Sequence, residues 1–482
     1  MITFTSSVLL LVLGYIFYGK FVSKFFGASS KIATPVKRLA DGVDYNEIKP
    51  WKMYIIQFLN IAGLGPIFGA ILGAAYGPVA YIWIVAGCIF MGAAHDYFAG
   101  MLSLRNDGTS LPEIVGKYLG GKIKIFMIVF TGLLLLAVGA SFVTGPSDLL
   151  ASLTNWNKNI WLYIIFSYYL IATLLPINKI IGKIYPILGA VLLFMAVAIG
   201  AALLIKGTGG SIKLINLTTD SFHNFHTCPG KNLLIPMLFI VISCGAISGF
   251  HATQSPLMAR CMADEKYGRP VFYGAMISEG IVALIWATAA MAYFGGPDGL
   301  NAAAAQGMSP AIIVNKICKS WLGITGGIIA ILGVIFCPIT TGDTAFRSLR
   351  LIIADGLKFN QKTVKNRLII SIPLFFLAYI LCTFDFSTIW KYVGISNQVL
   401  AAVTLWTISA YFKIKGKPHW IMSIPATFLT FVCISYFFVA PYNAGGLSMN
   451  HTLGYITGTA ASLALLAIFC LKKRNISSPV ND

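Results

Sequence analysis

Asn60-Ile-Ala-Gly-Leu-Gly-Pro-Ile-Phe-Gly69 and Ser243-Cys-Gly-Ala-Ile-Ser-Gly-Phe-His-Ala-Thr-Gln-Ser255 are the two stretches that decide the fold. Glycines interrupt a long apolar segment in each of them. A backbone group without a partner inside a bilayer is energetically costly, so broken helices persist in membranes where they line a cavity or hold a ligand. We expect the two segments to form a binding site. The alternative is that the glycines only allow intact helices to pack closely.

The composition is that of a membrane protein. Of the 482 residues, 57% are hydrophobic and 11% are charged, and many apolar runs reach the roughly 20 residues that span a bilayer. We expect an all-α protein with about thirteen spans, near residues 3–19, 52–77, 79–103, 124–146, 159–177, 184–205, 232–255, 271–295, 321–344, 367–383, 389–412, 420–440 and 452–471. The first segment lacks a preceding basic region and a cleavage site, which favours a retained helix over a signal peptide. The nine cysteines occur singly, which favours buried thiols over disulfides.

The distribution of basic residues predicts the orientation. The formal net charge of +19 suggests nucleic-acid binding only in a soluble protein, whereas in membrane proteins lysine and arginine collect in short cytoplasmic loops. With the N-terminus outside and the C-terminus in the cytoplasm, cytoplasmic connections contain all but seven of the 35 basic residues. The seven on the outer side are Lys158, Lys206, Lys213, Lys231, Lys316, Lys319 and Lys391. No nucleic-acid partner is expected.

The order of the spans predicts an internal repeat. Spans two to six and seven to eleven are two sets of five, and each set begins with a glycine-broken segment. Because five is odd, the second set enters the membrane in the opposite sense, which is typical of the APC (LeuT-like) transporter fold with its 5+5 inverted repeat. The predicted units are the first helix with a cytoplasmic loop (1–51), repeat 1 (52–205), an external loop (206–231), repeat 2 (232–412) and two C-terminal helices (413–482). Residues 297–320 are expected to include a short external helix.

The broken segments provide the predicted substrate-binding residues, which are Gly63, Gly65, Pro66, Gly69, Ser243, Gly245, Ser248, Gly249, His251 and Gln254. Amides at the start of a half-helix carry partial positive charge, which favours a substrate carboxylate. Hydroxyl, imidazole and amide side chains add donors and acceptors. A His251 that only satisfies hydrogen bonds within the protein is the alternative interpretation.

Three ionisable residues within predicted spans are the candidates for proton coupling: His95, Asp96 and Glu279. A charge at bilayer depth costs about 2.5 to 3.5 kcal/mol even on insertion scales, so these side chains must face protein or water. Adjacent helix positions point about 100° apart, so His95 and Asp96 need not contact each other. Glu279 is expected to contact His251 or His95. A purely structural role, such as an acid bracing a neighbouring helix or bonding unwound backbone, is the alternative for both acids.

Paired hydroxyls in the ninth span suggest a sodium site. Sodium-coupled LeuT-like transporters place such a pair opposite the first broken helix, so Thr340, Thr341 and the carbonyls near Ala62 form a candidate site of hard oxygen ligands. Alternatively, the hydroxyls bond to their own helix, and Asp343 pairs with Arg347 four residues later.

The external loop contains His223, His226 and Cys228 at a crude metal-ligand spacing. Only three ligands and no second cluster make this pattern too weak to predict a metal site. The chain also has no phosphate-binding loop and no nucleophile elbow, which argues against an ATP-driven pump and a hydrolase. We therefore expect no cofactor and no enzyme activity, with an ion gradient as the energy source.

Several motifs resemble those of the carbon starvation protein A (CstA) family over about residues 33–410. They are Ala33-Thr-Pro-Val36, Asp41-Gly-Val-Asp-Tyr45, Ile61-Ala-Gly-Leu-Gly-Pro66, Trp83-Ile-Val-Ala-Gly87, His95-Asp96-Tyr97, Ser103-Leu-Arg-Asn-Asp-Gly-Thr-Ser110, Ser248-Gly-Phe-His251, Thr340-Thr-Gly-Asp343 with Arg347 and Arg350, and Ile395-Ser-Asn-Gln398. The resemblance implies a bacterial inner-membrane transporter of the APC superfamily that takes up peptides or pyruvate during nutrient limitation. Longer members carry a His-His pair where this chain has Ile56-Gln57, and many carry Gln-Asp where it has His95-Asp96.

The favoured hypothesis is a proton-coupled symporter that imports a small carboxylate-bearing nutrient. A sodium-coupled symporter of the same fold and a passive channel are the alternatives. A metal-dependent intramembrane enzyme is the third class considered.

Overall fold

The computed structural model describes residues 1–42, 44–174, 181–361, 363–384 and 386–472. These residues form helices and no strand. The long helices are α1 (Ile2–Phe26), α2 in two halves (Pro50–Ala62 and Gly65–Ala74), α3 (Val79–Arg105), α4 (Gly121–Thr154), α5 (Lys158–Leu174), α6 (Tyr185–Thr208), α7 in two halves (Leu234–Val241 and Gly249–Ala259), α8 (Glu265–Tyr293), α9 (Pro310–Leu357), α10 (Val364–Leu381), α11 (Phe386–Ile414), α12 (Trp420–Val439) and α13 (His451–Leu471).

The membrane-spanning helices agree with the predicted class but do not confirm the count of thirteen. Among the described residues, ten helices are long and apolar enough to cross a bilayer, and the bent pair of α2 makes up to eleven. The described part of α5 has 17 residues, one fewer than the 18 required of a spanning helix here, and α7 is interrupted. Neither helix is therefore included in this count. Residues 175–180, which include the predicted end of the fifth span and Lys179, lie outside the described residues, as do Val43, Lys473 and Arg474.

Both predicted helix breaks are present. The first half of α2 ends at Gly63, which has a positive φ of 49°, and the two halves are bent by 55°. Glycine adopts this conformation at little steric cost. In α7 the chain from Ile242 to Ser248 is not helical. The prediction of unbroken, tightly packed helices is therefore wrong at these two segments.

Helix α8 lies at the centre of the molecule. In the 18-residue apolar stretch of each helix, 89% of α8 is buried, compared with 17% of α13 and 28% of α1. Helix α8 contacts both halves of the broken helix α2, whereas α13 packs on α12 at the periphery. Glu279, near the middle of α8, is therefore far from bulk water.

The connection between α8 and α9 contains a short helix at Pro297–Ala305, within the range where the sequence predicts one. Helix α9 has a non-helical residue at Gly323, with a φ of 69°, so its first turns run separately from the apolar remainder. All nine cysteines are free, as expected from their isolated positions.

Candidate functional site

The two broken segments face each other at van der Waals distance. A Cβ atom added to Gly65 would lie 2.2 Å from the Cβ of Cys244, and one added to Gly69 would lie 2.8 Å from the carbonyl oxygen of Val241. Distances this short are not tolerated between non-bonded atoms. The glycines of α2 therefore serve both predicted purposes, because they break the helix and let the break in α7 approach it.

Side chains of neighbouring helices satisfy part of the backbone freed by the second break. The indole of Trp83 donates to the carbonyl of Ile242 (3.0 Å), and the amide of Gln398 donates to the carbonyls of Phe239 (3.0 Å) and Ile247 (3.2 Å). Asn397 accepts from the amide of Phe250 at 3.2 Å. These bonds replace the lost helical partners, as burial in an apolar medium requires.

Four ionisable side chains form a continuous chain of contacts beside the breaks. His95 Nδ1 lies 2.8 Å from one carboxylate oxygen of Asp96, and the other oxygen lies 2.8 Å from Nδ1 of His251. On the far side of the ring, His251 Nε2 lies 3.4 Å from Glu279. All four side chains are fully buried. We call this set the ionisable chain.

The ionisable chain connects the two halves of the fold. Asp96 lies in α3 and Glu279 in α8, the second helices of the two predicted repeats, and both contact the histidine that follows the break in α7. The contact between His95 and Asp96 was not required by their adjacent helix positions. It arises because the His95 ring folds back toward the carboxylate inside the packed interior.

Proton positions within the chain are constrained by hydrogen-bond chemistry. A neutral imidazole donates at one nitrogen and accepts at the other, whereas an imidazolium donates at both. If His251 donates to Asp96 while neutral, its Nε2 is an acceptor, and Glu279 must carry a proton to bond with it. A second carboxylate charge requires a second proton on the histidine, because unbalanced charge is strongly disfavoured in a dry interior. The arrangement thus couples the protonation of Glu279 to that of His251.

Cys244 lies next to this chain. Its thiol, a nitrogen of His251 and a carboxylate oxygen of Glu279 all lie within 4.8 Å of one another, and within the described ranges this is the one such grouping of metal-type ligands. The Cys244 thiol also donates to the Ser248 hydroxyl at 3.8 Å. Sulfur, imidazole and carboxylate together suit a transition metal, but contacts within the protein already position each of these side chains.

The other predicted substrate-binding residues are all buried, but they do not share one surface. Gly63 and Gly245 pack against Phe142 and Ala283 respectively, and Gly249 lies directly against the backbone of α11 at Ala401. Gln254 is hydrogen-bonded to Thr253 (2.9 Å) and faces Ser348 of α9 (3.5 Å). Ser243 and Pro66 lie at the breaks themselves. The predicted set is therefore divided. The residues near His251 lie together, whereas the side chain of Gln254 faces α9.

The predicted sodium residues lie where α9 meets the first break. The Thr341 hydroxyl donates to the carbonyl of Leu59 and that of Cys337, both at 2.9 Å. Within the described chain the Thr340 hydroxyl donates only to carbonyls of its own helix, those of Phe336 (3.0 Å) and Cys337 (2.8 Å). Ala62, the third predicted member, is buried at the end of the first half of α2. The Thr341 hydroxyl therefore contacts α2. The Thr340 hydroxyl bonds to its own helix, as the alternative interpretation predicts.

The alternative interpretation was an ion pair between Asp343 and Arg347, and the described structure does not contain it. The Asp343 carboxylate accepts a hydrogen bond from the Tyr185 hydroxyl at 2.5 Å, and no ion pair within 4.0 Å joins it to an arginine of the described chain. The tyrosine reaches it from the first turn of α6. A spacing of four residues between an acid and an arginine was therefore not enough to predict an ion pair in this packed interior.

Sequence reasoning did not select two buried amides one turn before the first break. The side chains of Gln57 and Asn60 are fully buried, and none of their amide atoms has a hydrogen-bond partner in the described chain. Residues three apart share a helix face. Their proximity to Gly63 was the available signal, and they are additional candidates for contacting a bound molecule.

His223 and His226, in the loop between α6 and α7, do not converge on a common point. His223 Nδ1 contacts the Asp220 carbonyl at 2.6 Å, whereas His226 Nδ1 accepts from the amide of Cys228 at 3.3 Å and its ring packs against Tyr76. Partial burial lowers the pKa of His226, which favours the neutral ring that this acceptor role requires. The contacts in this loop hold the loop together.

Comparison with known proteins gives a consistent family assignment. A family model described as carbon starvation protein CstA matches residues 1–146, 133–325 and 287–436. An uncharacterized membrane protein of Haemophilus influenzae is 43% identical over 64% of this chain and 95% of its own length. The peptide transporter CstA of Bacillus subtilis is 26% identical over 89% of this chain and 88% of its own length.

The pyruvate/proton symporter BtsT of Escherichia coli is 27% identical, over 59% of this chain and 48% of its own length. Among solved structures, a Na+-coupled sialic acid symporter in a substrate-bound outward-open state matches with a TM-score of 0.57 and 12% identity, over 98% of each chain. That likeness concerns the fold alone, and it places the chain in the LeuT-like architecture with its two discontinuous helices.

Proposed function

The chain belongs to the carbon starvation protein CstA family, and from this premise we propose that it is a proton-coupled symporter importing a small carboxylate-bearing nutrient, a peptide or pyruvate. It is a multi-pass membrane transporter of a small molecule, and its relatives are named transporters. The proton as coupling ion, the carboxylate class of substrate and the placement in a bacterial inner membrane with the N-terminus outside are parts of the proposal.

The observation that carries the proposal is the ionisable chain between the two breaks. Asp96 and Glu279 both contact His251 in the interior, and each half of the fold contributes one of the two acids. Intramembrane carboxylate and histidine chains are the usual proton relays of pumps and transporters. Glu279 lies 3.4 Å from Nε2 of His251, so a proton taken up by Glu279 would change the electrostatic contact with the histidine and thereby act on the helix that begins at the second break.

Uptake into proteoliposomes tests the proposal. With an inward proton gradient, radiolabelled pyruvate or dialanine should accumulate about tenfold per coupled proton for each unit of pH difference, because one unit corresponds to 1.36 kcal/mol. A protonophore should abolish this accumulation. Flux that only equilibrates the substrate would instead indicate a passive channel.

Glu279→Gln is expected to make transport insensitive to the proton gradient. Glutamine keeps the size of the side chain and a donor for His251 Nε2, but it cannot release a proton. Accumulation should fall to the equilibrium ratio, while exchange of internal for external substrate continues. The measurement is accumulation at two external pH values, and an unchanged response to pH would assign Glu279 a structural role.

Sodium coupling is the second candidate, and one observation favours it. The Thr341 hydroxyl lies 2.9 Å from the carbonyl of Leu59 beside the first break, so a small shift would present both oxygens to a hard cation. An inward sodium gradient without a pH difference should then drive accumulation.

Thr341→Val separates the two ions. Valine has nearly the same shape without the hydroxyl oxygen, so a proton-coupled protein should keep its accumulation to within about twofold, after a loss of about 1 kcal/mol of stability for the lost hydrogen bond. Loss of accumulation that higher sodium restores would favour sodium coupling. Thr340→Val is the matched control, since the Thr340 hydroxyl bonds only within α9.

A further inference from the structure

Arg350 is a buried arginine whose guanidinium has no hydrogen-bond partner among the residues that the structure describes. Its side chain lies in α9 with 1% exposure, and none of its three guanidinium nitrogens has a hydrogen-bond partner in the described chain. A buried guanidinium offers five donors in a fixed planar fork. Buried charges are normally paired, because desolvation penalises the isolated ion strongly. The chemistry of this arginine is therefore that of an anion-binding site.

Buried charged side chains of both signs surround Arg350. Its charged neighbours are Arg347, Arg367, Asp44 and Asp343, which are all buried. We call Arg350 and these four neighbours the arginine cluster, in which three arginines lie with two aspartates.

The two acids of the arginine cluster do not compensate Arg350 directly. Asp343 accepts from Tyr185 at 2.5 Å, and one carboxylate oxygen of Asp44 is buried without a partner. Within the described residues, no ion pair within 4.0 Å joins either acid to an arginine. The guanidinium fork of Arg350 is thus left available, although acids lie within electrostatic range.

The arginine cluster is continuous with the broken-helix region. Positions 343, 347 and 350 follow the i, i+4, i+7 spacing and lie on one face of α9. Ser348, on the same turn, donates to Gln254 of the second half of α7 at 3.5 Å. Arg350 is two turns before the end of α9 at Leu357, and it neighbours Asp44 in the loop between α1 and α2. The proposed orientation places this loop, and hence the cluster, on the cytoplasmic side of the breaks.

We propose that Arg350, assisted by Arg347, binds the carboxylate of the transported molecule on the cytoplasmic side of the two breaks. The ligand class is a small monocarboxylate anion, because the planar fork of the guanidinium matches the two oxygens of a carboxylate. This inference rests on the proposed function, because it names the part of the same route at which the substrate carboxylate is held before release.

The test is binding to the purified full chain in detergent, measured by thermal stabilisation and by binding of radiolabelled pyruvate. The probes are pyruvate with its neutral analogue pyruvamide, and dialanine with dialanine amide. The wild-type protein should be stabilised by a carboxylate probe and not by its amide. Arg350→Gln should weaken binding about 10- to 100-fold, the range for a hydrogen bond to a charged group.

Two further variants make the result specific. Arg350→Lys keeps the charge but not the fork, so it should fold normally and still weaken binding about tenfold. Arg38→Gln removes the same charge from a surface pair with Asp107, with 46% of the arginine side chain exposed, and should bind as the wild type does. Wild-type affinity in a folded Arg350→Gln variant, or equal stabilisation by sodium chloride, would overturn the assignment.

Uptake separates failure of this inference from failure of the proposed function. If both the wild type and Arg350→Gln accumulate substrate with the same KM, the arginine assignment is wrong while the symporter stands. If the wild type accumulates neither probe under any ion gradient, the symporter proposal fails. Carboxylate-selective stabilisation that Arg350→Gln removes would still support an anion site in that case.

Discussion

Asp96→Asn should reduce proton-driven accumulation to the equilibrium ratio, a functional effect as large as that expected for Glu279→Gln. Asp96 is the central member of the ionisable chain, since its two oxygens contact His95 and His251 at 2.8 Å each. Asparagine occupies the same volume and keeps one acceptor, but it carries no exchangeable charge, so the negative charge that stabilises a protonated His251 is lost. Proton-driven accumulation, which is about tenfold per coupled proton for each pH unit in the wild type, should disappear.

The same variant should retain substrate exchange, because exchange does not require net release of a proton. Uptake and exchange measured on the same vesicles therefore separate loss of coupling from loss of folding. Asp107→Asn is the matched control, since this aspartate pairs with Arg38 at the surface with 49% of its side chain exposed, where such pairs contribute at most about 1 kcal/mol. Full accumulation by Asp96→Asn would remove Asp96 from the coupling mechanism.

Gly65→Ala should have the largest effect on folding. The added Cβ would lie 2.2 Å from the Cβ and 2.3 Å from the sulfur of Cys244, so the two broken segments would have to separate. Forcing extra volume into a packed interior typically costs about 1 to 3 kcal/mol, and this overlap should reach the upper end. We expect a Tm lower by about 2 to 4 °C for each kcal/mol lost, on the scale of large domains, together with loss of transport.

A second substitution tests the cause of that effect. In Gly65→Ala/Cys244→Gly the colliding atoms are absent and the next atom, the Cα of residue 244, is 3.6 Å away, so stability and uptake should recover substantially. Gly132→Ala is the control in α4, where an added Cβ meets its nearest neighbour at 3.6 Å, an ordinary contact. A double variant as unstable as Gly65→Ala would show that backbone conformation, and not contact with Cys244, requires glycine at position 65.

Local chemistry explains why the breaks were predictable. Gly63 adopts a positive φ, and Gly65-Pro66 follows after Leu64, so the sequence contains the cause of the interruption within four residues. In α7 the glycine and serine residues similarly mark the segment that the structure leaves non-helical. The thirteen-span count was less secure, because hydropathy alone does not reveal where a short or broken helix crosses the bilayer.

The site was predictable by residue type but not by contact. Asp96, His251 and Glu279 were selected because ionisable groups are costly at bilayer depth. That one histidine contacts both acids depends on how α3, α7 and α8 cross. Helix packing also decides that Gln254 faces Ser348, and that Asp343 bonds to Tyr185 instead of Arg347.

The sequence by itself determined the membrane class, the two helix breaks and the identity of the buried ionisable residues, since hydropathy, glycine conformational freedom and the cost of burying charge act locally along the chain. Only the tertiary structure decided that Asp96 and Glu279 share His251, and that the buried guanidinium of Arg350 has no hydrogen-bond partner among the described residues. These facts depend on atoms of different helices, such as Asp96 and His251 at 155 positions apart, whose distances are set by helix packing and by no pattern within a single segment.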